Sequence, residues 1–551
     1  MRGHDSPSHD RASRRGQRTH VVQGNSQLLF NSYQFLFAFL PITILVFILL
    51  ERQAGQLQYA FLLAASIGFY AWWDIRFVPL LIGSFTCNFF GGRAIDRARM
   101  NGREKLAWIL TCGFITGNLA LLAVFKYANF FITNVNVVFG SDFILEKIIL
   151  PLGISFFTFE QISFLVDVYR GHSRSRQFLQ YALFVSFFPR LVAGPILRYD
   201  EIVPQMTGGR RSRDKLDDLA AGLTIFFIGL IKKSLLADGI APYASPVFNA
   251  AAHGEHLDLL VAWGGVLAYT CQLYFDFSGY SDMAIGAARC FGIRFPMNFF
   301  SPYKATNIID FWRRWHITLS RFLRDYLYIA LGGNRRGRAR RYANLLITML
   351  LGGLWHGANW TFMAWGGLHG VYLMINHGWL KLAQRHPPLQ SFRASRIGTL
   401  FGFTVTFVAV VVGWTFFRAP TFAAAFDLIR SMVGNYGIVV PAGLAFALHP
   451  IHGFLETIGV RFGDSSATEL IKTFLWVLAL LVIALSFPST QELVAQCAPV
   501  LEKVKRPDGR PETGWSIRWS PSRGWAIALG VIAFFGLISI THVSEFLYWQ
   551  F

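Results

Sequence analysis

The stretch GGLWHGANW, from Gly352 to Trp360, places a histidine in an apolar, glycine-rich segment. From Tyr342 to Leu380 the chain contains no Asp, Glu, Lys or Arg. An ionisable side chain in such a segment is costly, and by default it marks a functional site that faces a cavity. His356 is therefore predicted to be functional, although a structural histidine that bridges two helices is an open alternative. His369 and His377 lie in the same segment, nearer its polar end, and are weaker candidates for a functional role.

A second histidine lies upstream, in the sequence DFWRRWHITLS from Asp310 to Ser320. Residue spacing there predicts one amphipathic helix, with an apolar stripe of Phe311, Trp312, Trp315, Leu319, Phe322, Leu323 and Tyr326 and with Arg313, Arg314, Arg321 and Arg324 largely on other faces. His316 falls on the edge of this stripe. A packed interfacial histidine, bonded to backbone or water, explains it as well as a functional role does.

The composition indicates a membrane protein. Of 551 residues, 53% are hydrophobic and 15% are charged, against roughly 25% charged residues in an ordinary soluble domain. Apolar runs long enough to cross a bilayer recur along nearly the whole chain. The formal charge is +20, and its basic residues cluster between these runs, which favours membrane orientation over nucleic-acid binding. The five cysteines form no C-x-x-C pair, so no disulfide framework or metal site is predicted.

The predicted fold class is an all-α polytopic membrane protein. About a dozen spans are predicted from the apolar runs: Tyr33–Leu50, Tyr59–Trp73, Phe77–Phe90, Ala107–Tyr127, Phe143–Val168, Tyr181–Leu197, Leu216–Leu236, Leu259–Phe277, Leu345–Trp355 with Thr361–Leu380, Gly398–Phe417, Thr473–Phe487 and Trp525–Ile540. The positive-inside rule places four basic loops in the cytoplasm: Arg93–Lys105, Arg170–Arg176, Arg210–Lys215 and Arg335–Arg341. The basic N-terminal tail conflicts with this orientation, because three short spans separate it from the first of these loops.

Composition divides the chain into four parts. Residues 1–27 are a basic tail that is predicted to be disordered. Residues 28–430 form the transmembrane core, and residues 431–522 are less hydrophobic, with one further span and polar linkers. Residues 523–551 form a C-terminal transmembrane segment.

Polar residues also interrupt other apolar runs. Asp276, Ser278 and Asp282 lie among aromatic residues, where binding nearby arginines is a simpler role for the carboxylates than acid–base catalysis. Glu160 lies in another apolar run, and Arg190 adjoins a Pro-Gly break. A broken helix near a cavity explains both of these, and so does plain helix packing.

The two histidine blocks, forty residues apart from His316 to His356, resemble the membrane-bound O-acyltransferase family. The resemblance is closest to the bacterial branch that holds the alginate O-acetylation membrane protein and the teichoic acid D-alanyl transfer protein. It extends over most of the chain, through Leu28–Tyr33, Gly153–Phe159, Phe188–Pro195, Tyr274–Asp282, Arg324–Ile329, Leu331–Asn334, Trp414–Ala419 and Glu545–Tyr548. The basic tail and the stretch Tyr436–Ser522 depart from the family pattern.

This resemblance implies a multi-helix bundle with a central tunnel and amphipathic or re-entrant helices. It makes His356 the catalytic histidine and His316 its assistant. The acyl donor would be a cytoplasmic thioester such as acetyl-CoA, with no tightly bound cofactor. Further residues in and near the motifs are predicted to line the tunnel or bind substrate: Asp310, Trp312, Arg313, Arg314, Trp315, Ser320, Trp355, Asn359, Asp276, Ser278 and Asp282.

The chemistry of such a site is simple, because a thioester is already activated. The enzyme must orient it, deprotonate an alcohol and stabilise an oxyanion. His356 is predicted to be the base, with His316 or nearby donors polarising the carbonyl. Arg313, Arg314 and Arg335–Arg341 are candidates for attracting an anionic donor, although a solvated cytoplasmic loop explains Arg335–Arg341 at least as well.

The predicted function is O-acetylation of an exported, alginate-like polysaccharide by a multi-pass protein of the bacterial inner membrane. Its predicted partners are the lipid bilayer, periplasmic acetyl-transfer proteins and the polysaccharide export machinery. One alternative is transfer of D-alanine or another acyl group to a cell-envelope polymer. A transporter of a small solute or acyl carrier is the other, and the lack of an internal repeat favours an enzyme.

Overall fold

The protein is described from a computed structural model, which covers residues 28–51, 55–146, 148–174, 177–192, 194–207, 212–446, 448–457, 459–463, 466–502, 518–540 and 547. The predicted disordered tail, residues 1–27, lies outside this range. Helices form most of the described chain, and the two strands are four residues each. The predicted all-α class is confirmed.

The α-helices are α1 Leu40–Glu51, α2 Gly55–Asp74, α3 Val78–Met100, α4 Glu104–Leu122, α5 Ala128–Phe139, α6 Ile154–Arg170, α7 Phe178–Ser186, α8 Phe188–Leu191, α9 Tyr199–Thr207, α10 Ser212–Ile231, α11 Asp238–Ala252, α12 Leu259–Cys290, α13 Ile308–Arg314, α14 Ile317–Phe322, α15 Gly337–His356, α16 Trp360–Arg385, α17 Pro387–Ala394, α18 Arg396–Arg418, α19 Phe422–Met432, α20 His452–Thr457, α21 Ala467–Ser486, α22 Thr490–Leu493 and α23 Arg523–Ile538. Four π-helical turns join or precede them, at Phe35–Phe39, Ala123–Tyr127, Lys232–Ala237 and Leu323–Tyr328. Short 3-10 turns occur at Ile75–Phe77, Pro302–Lys304, Ala442–Leu444, His449–Ile451 and Ala495–Cys497.

Within the described residues, five continuous helical segments are long and apolar enough to cross a membrane: Gln56–Met100, Glu104–Phe139, Lys215–Ala252, Arg396–Arg418 and Ala467–Ser486. Shorter apolar helices cover Phe35–Leu50 and Arg523–Ile538. The protein is therefore an integral, polytopic membrane protein.

Two predicted spans are interrupted. The span expected over Phe143–Val168 begins as a helix only at Ile154, after Gly153 adopts a left-handed conformation with φ 67°. The span expected over Tyr181–Leu197 ends as α7 at Ser186, because Phe187 leaves the helical region with ψ 113°. Apolar composition alone does not distinguish a continuous helix from such a break.

Helix α12 is the centre of the bundle. It runs for 32 residues, and most of its side chains are buried on all sides. Glycines bring it against α10: a Cβ on Gly279 would lie 2.8 Å from the carbonyl oxygen of Gly229, and one on Gly222 would lie 2.8 Å from that of Gly286. Small residues allow this close backbone approach between apolar helices.

The prediction of one continuous helix over residues 311–326 is wrong. It is broken between α13 and α14, where Trp315 is extended and His316 is left-handed with φ 42° and ψ 54°. Backbone hydrogen bonds to a neighbouring segment replace the helical ones: Phe300 N–H donates to Arg314 O at 2.9 Å, and Ile317 N–H donates to Asn298 O at 2.9 Å. Tertiary pairing thus overrides the helical pattern.

A second break separates α15 from α16. Helix α15 ends at His356, and the side chain of Asn359 caps α16 by accepting from the Thr361 N–H at 3.2 Å. The two helices pack closely through glycine, since a Cβ on Gly353 would meet the Phe362 carbonyl oxygen at 2.2 Å. The glycines in this run therefore serve both close packing and a broken helix.

The less hydrophobic region contains a small unit with two strands. Strands β1 Ile438–Pro441 and β2 Val460–Gly463 pair in parallel, with Ile438 opposite Val460. Helix α20 lies between them in sequence. This unit precedes the apolar helix α21 directly, so it lies at one end of that span.

Candidate active site

His356 ends helix α15 inside a wall of aromatic rings. Its side chain is buried, and its ring centroid lies 5.1 Å from Trp355, 5.1 Å from Trp365 and 5.2 Å from Phe417. A narrow cavity adjoins the ring. Besides His356, its lining is entirely apolar or aromatic: Leu273, Phe277, Trp315, Trp365, Trp414 and Phe417.

His316 lies beside His356. The two ring centroids are 6.3 Å apart, and the His316 ring is also 6.2 Å from Trp355 and 4.8 Å from Phe277. The two rings are close because the break between α13 and α14 points the buried His316 ring inward. Non-glycine residues in the left-handed region cost of order 1–3 kcal/mol each and cluster at functional sites.

A buried asparagine orients His316. Asn298 Oδ1 accepts from His316 Nδ1–H at 3.1 Å and from Thr318 Oγ1–H at 2.9 Å, while Asn298 Nδ2 donates to Ser281 Oγ at 3.0 Å. This assignment places the imidazole proton on Nδ1. Nε2 is then the acceptor nitrogen, and it has no hydrogen-bond partner within the described part of the chain.

His369 extends the row of histidines. It is buried on α16, and its ring lies 4.9 Å from Trp365 and 5.2 Å from Trp312. Trp365 therefore lies next to both His356 and His369. Neither ring nitrogen of His369 has a hydrogen-bond partner among the described residues.

The other residues predicted from the motif around His316 divide into two groups. Trp315 lines the cavity, and Trp312 packs near Trp365 with ring centroids 5.9 Å apart. Asp310 and Arg314 form a buried ion pair at 2.9 Å, so their charges support the fold of this segment. Arg313 is exposed to solvent or lipid, and Ser320 is partly buried.

Asp276 and Asp282 of α12 bind lysines and not the arginines that were expected. Lys233 Nζ contacts Asp276 at 2.8 Å, and Lys232 Nζ contacts Asp282 at 2.7 Å. Asp282 also accepts from Thr490 Oγ1 and Gln491 Nε2, and Asp276 accepts from the Leu547 N–H. These contacts hold C-terminal segments against the core. Ser278, which lies between these two residues in the sequence, is also buried.

Glu160 and Arg190 pair with each other in the core. Both side chains are fully buried, and the Leu197 N–H donates to Glu160 Oε1 at 3.0 Å. This contact ties α6 to the broken segment that follows α7. Asn359, besides capping α16, donates from Nδ2 to Pro420 O at 2.9 Å.

Sequence reasoning missed three residues near the histidines: Asn298, Trp365 and Lys126. Lys126 was detectable, because it is the only Asp, Glu, Lys or Arg between Ala107 and Ser141. Like His356, it is an ionisable side chain in an apolar segment, which is costly in a membrane and marks a candidate functional site. Asn298 and Trp365 have no comparable mark in the sequence, since their place at the site depends on tertiary contacts.

The region that contains both histidines matches a known protein family. The profile of the membrane-bound O-acyltransferase family matches residues 110–416, which include both histidines. The peptidoglycan O-acetyltransferase of Helicobacter pylori is 42% identical over 438 residues, or 75% of this chain and 81% of that protein. A probable alginate O-acetylase of Azotobacter vinelandii is 43% identical over 412 residues, or 74% of this chain and 78% of that protein.

The teichoic acid D-alanyltransferase of Bacillus subtilis is more distant, at 30% identity over 281 residues, which are 49% of this chain and 69% of that protein. The family profile covers more than half of the chain, and the two O-acetylating relatives match about three quarters of it. The chain therefore belongs to the membrane-bound O-acyltransferase family, and it is an O-acyltransferase.

Proposed function

We propose that this O-acyltransferase moves an acetyl group from a cytoplasmic thioester, such as acetyl-CoA, towards a hydroxyl of an exported polysaccharide. The observation that carries the proposal is the pair of buried imidazoles, 6.3 Å apart between ring centroids, with His356 lining an apolar cavity. Two close imidazoles provide proton-transfer groups for alcohol activation. The similarity to two O-acetylating proteins supports acetyl as the transferred group.

In this proposal His356 takes the proton of the acceptor hydroxyl. The alcohol oxygen then forms a bond to the thioester carbonyl carbon, and the thiolate leaves as that C–S bond breaks. The thiolate takes up the proton that His356 holds, which returns the imidazole to its neutral form. The surrounding rings exclude solvent, so the orientation of both substrates depends on the cavity walls.

The geometry changes the role proposed for His316. A group that polarises a carbonyl must donate a hydrogen bond, but the Asn298 contact uses the Nδ1–H and leaves Nε2 as an acceptor. His316 therefore suits a proton relay beside His356 better than it suits an oxyanion donor.

The proposed donor rests on a cluster of positive charges, and the proposed partners rest on similarity to the O-acyltransferase family. Arg335, Arg336, Arg338 and Arg340 are exposed before and within the first turn of α15, the helix that ends at His356. Such a cluster can attract the phosphates of an anionic donor to the end of α15 opposite the histidines. We place the protein in the bacterial inner membrane, where periplasmic acetyl-transfer proteins and export machinery would receive the acetyl group.

The proposal is tested with purified protein in detergent or liposomes, a radiolabelled acetyl thioester and polysaccharide acceptors. His356→Ala is expected to lower transfer by about 10²- to 10⁴-fold, the range for loss of a general base. His253→Ala is the matched control, because His253 is an exposed histidine at the end of α11 whose Nδ1 hydrogen-bonds to Asn249 O at 2.7 Å. Equal transfer by wild type and a folded His356→Ala protein would reject the assignment.

Alginate, peptidoglycan and teichoic acid serve as parallel acceptors in the same assay. We expect acetylation of an alginate-like polymer. Transfer only to peptidoglycan would change the acceptor, whereas transfer of D-alanine and not acetate would select the more distant relative's chemistry.

A further inference from the structure

The C-terminal end of the His356 helix is held by another helix. The last carbonyl groups of an α-helix have no partner within the helix and must be satisfied elsewhere. In α15, Tyr127 Oη–H donates to Leu354 O at 2.9 Å. Lys126 Nζ donates to Trp355 O at 2.6 Å and to His356 O at 3.2 Å. Two consecutive residues thus satisfy three consecutive carbonyls, the last of which is that of His356.

These two residues end a π-helical turn, Ala123–Tyr127, between α4 and α5. The wider turn of a π-helix shifts the side chains that follow it and often occurs at functional sites. The turn lies within Glu104–Phe139, one of the helical segments long enough to cross a membrane. A lysine is costly in such a place unless it is well paired, so its position calls for a reason.

Lys126 is well suited to a helix C-terminus. Its ammonium faces the negative end of the α15 dipole. Ser155 Oγ lies 3.5 Å from Nζ, and the ammonium is 5.8 Å from the centroid of the Trp355 ring. The cation therefore contacts the backbone of His356 and both the backbone and the ring of the residue before it.

We propose that Lys126 and Tyr127 are positioning residues that fix the end of α15 and so hold the His356 imidazole in its reactive place. Helix α15 does not continue past His356, because Gly357 is extended and α16 starts at Trp360. The three hydrogen bonds from the π-helical turn replace the missing helical ones. This role rests on the proposed function of His356.

A simpler alternative is that Lys126 and Tyr127 only add stability by joining two helices. The two roles differ in what they change. A stabilising contact alters the melting temperature and the yield of folded protein, whereas a positioning contact alters kcat of the folded protein. A shift of about 1 Å in a catalytic group can cost about 10²-fold in rate.

The test measures kcat, KM for the acetyl thioester and melting temperature for Lys126→Met, Lys126→Arg and Tyr127→Phe. Lys126→Met is expected to lower kcat about 10- to 100-fold with KM unchanged. Lys126→Arg keeps the charge and the donors and is expected to recover part of the loss. Tyr127→Phe is expected to have a smaller effect, because the two lysine hydrogen bonds remain.

Lys304→Met is the matched control. Lys304 Nζ also donates to a backbone carbonyl at the end of an apolar helix, that of Phe487 after α21, at 2.6 Å. Its loss is expected to leave kcat unchanged.

His356→Ala separates the possible failures. If His356→Ala is inactive but Lys126→Met keeps the wild-type kcat, the positioning role is wrong and the proposed function stands. If Lys126→Met lowers only melting temperature or yield, the contact is structural and the proposal is also overturned. If His356→Ala is active, the proposed function fails first.

Discussion

The two histidines reach the same site by different physical means. His316 lies in a strained, left-handed turn between short helices and is oriented by a polar network around Asn298. His356 ends a 20-residue helix and is surrounded by aromatic rings. One ring is fixed by hydrogen bonds to its side chain, and the other by packing and by contacts to its backbone.

This difference predicts how activity and stability should respond to substitutions around each histidine. A polar network depends on every member, since loss of one partner leaves buried groups unsatisfied. A packed ring instead tolerates small losses of polarity, but it responds to changes of volume. Substitutions around each histidine should therefore have distinct signatures.

His316→Ala is expected to have the largest effect among changes to the network. If His316 is the proposed proton relay, its removal should lower kcat by about 10²- to 10⁴-fold. Alanine at this position would have the same strained backbone, with φ 42°. Transfer of labelled acetyl by folded protein measures this. A loss much smaller than that of His356→Ala would confine His316 to a structural role.

Asn298→Ala is expected to have an intermediate effect on activity. The imidazole keeps its place in the chain but loses the acceptor that fixes its tautomer. Partners that orient metal-ligating histidines are typically worth about 10- to 100-fold, and we expect a loss of that order here. Asn118→Ala is the matched control, because Asn118 is a buried asparagine bonded to Asn88 at 2.6 Å. Both variants should melt at a lower temperature, but only Asn298→Ala should lose kcat.

Gly357→Ala tests packing at the other histidine and should have the smallest effect on rate. A Cβ at Gly357 would lie 2.2 Å from the Phe362 ring, whereas Gly378 has no atom within 4 Å of such a Cβ. Overpacking typically costs about 1–3 kcal/mol of stability, while Gly378→Ala in α16 should gain about 0.4–1 kcal/mol. Chemical denaturation measures both. Equal stability of the two variants would show that the Phe362 ring moves aside freely.

Much of the fold could be predicted from the sequence, because the bilayer demands long apolar helices and little else. The predicted span Gly398–Phe417 corresponds closely to α18, and Thr473–Phe487 overlaps α21 as far as Ser486. The breaks could not be predicted in the same way. The segment around His316 has a helical pattern of apolar residues, yet backbone pairing with Asn298 and Phe300 interrupts it.

The site was only partly predictable for a related reason. His356 stands out because a titratable group in an apolar run is unusual, and the structure places it beside a cavity. Asp276 and Asp282 satisfy the same criterion, but they bind lysines and accept hydrogen bonds from C-terminal segments. Sequence shows that a buried charge needs a partner, and only the tertiary structure shows whether that partner is a substrate or another side chain.

The apolar lining of the cavity also bears on a competing reaction. The thioester proposed as the donor would react with water as well as with an alcohol, and its hydrolysis would consume it without acyl transfer. A buried water needs about two to four polar partners, and the rings of Phe277, Trp315 and Phe417 expose few atoms that could serve as such partners. The walls around His356 thus favour an acceptor that brings its own binding energy, which is the property that distinguishes a transferase from a thioesterase.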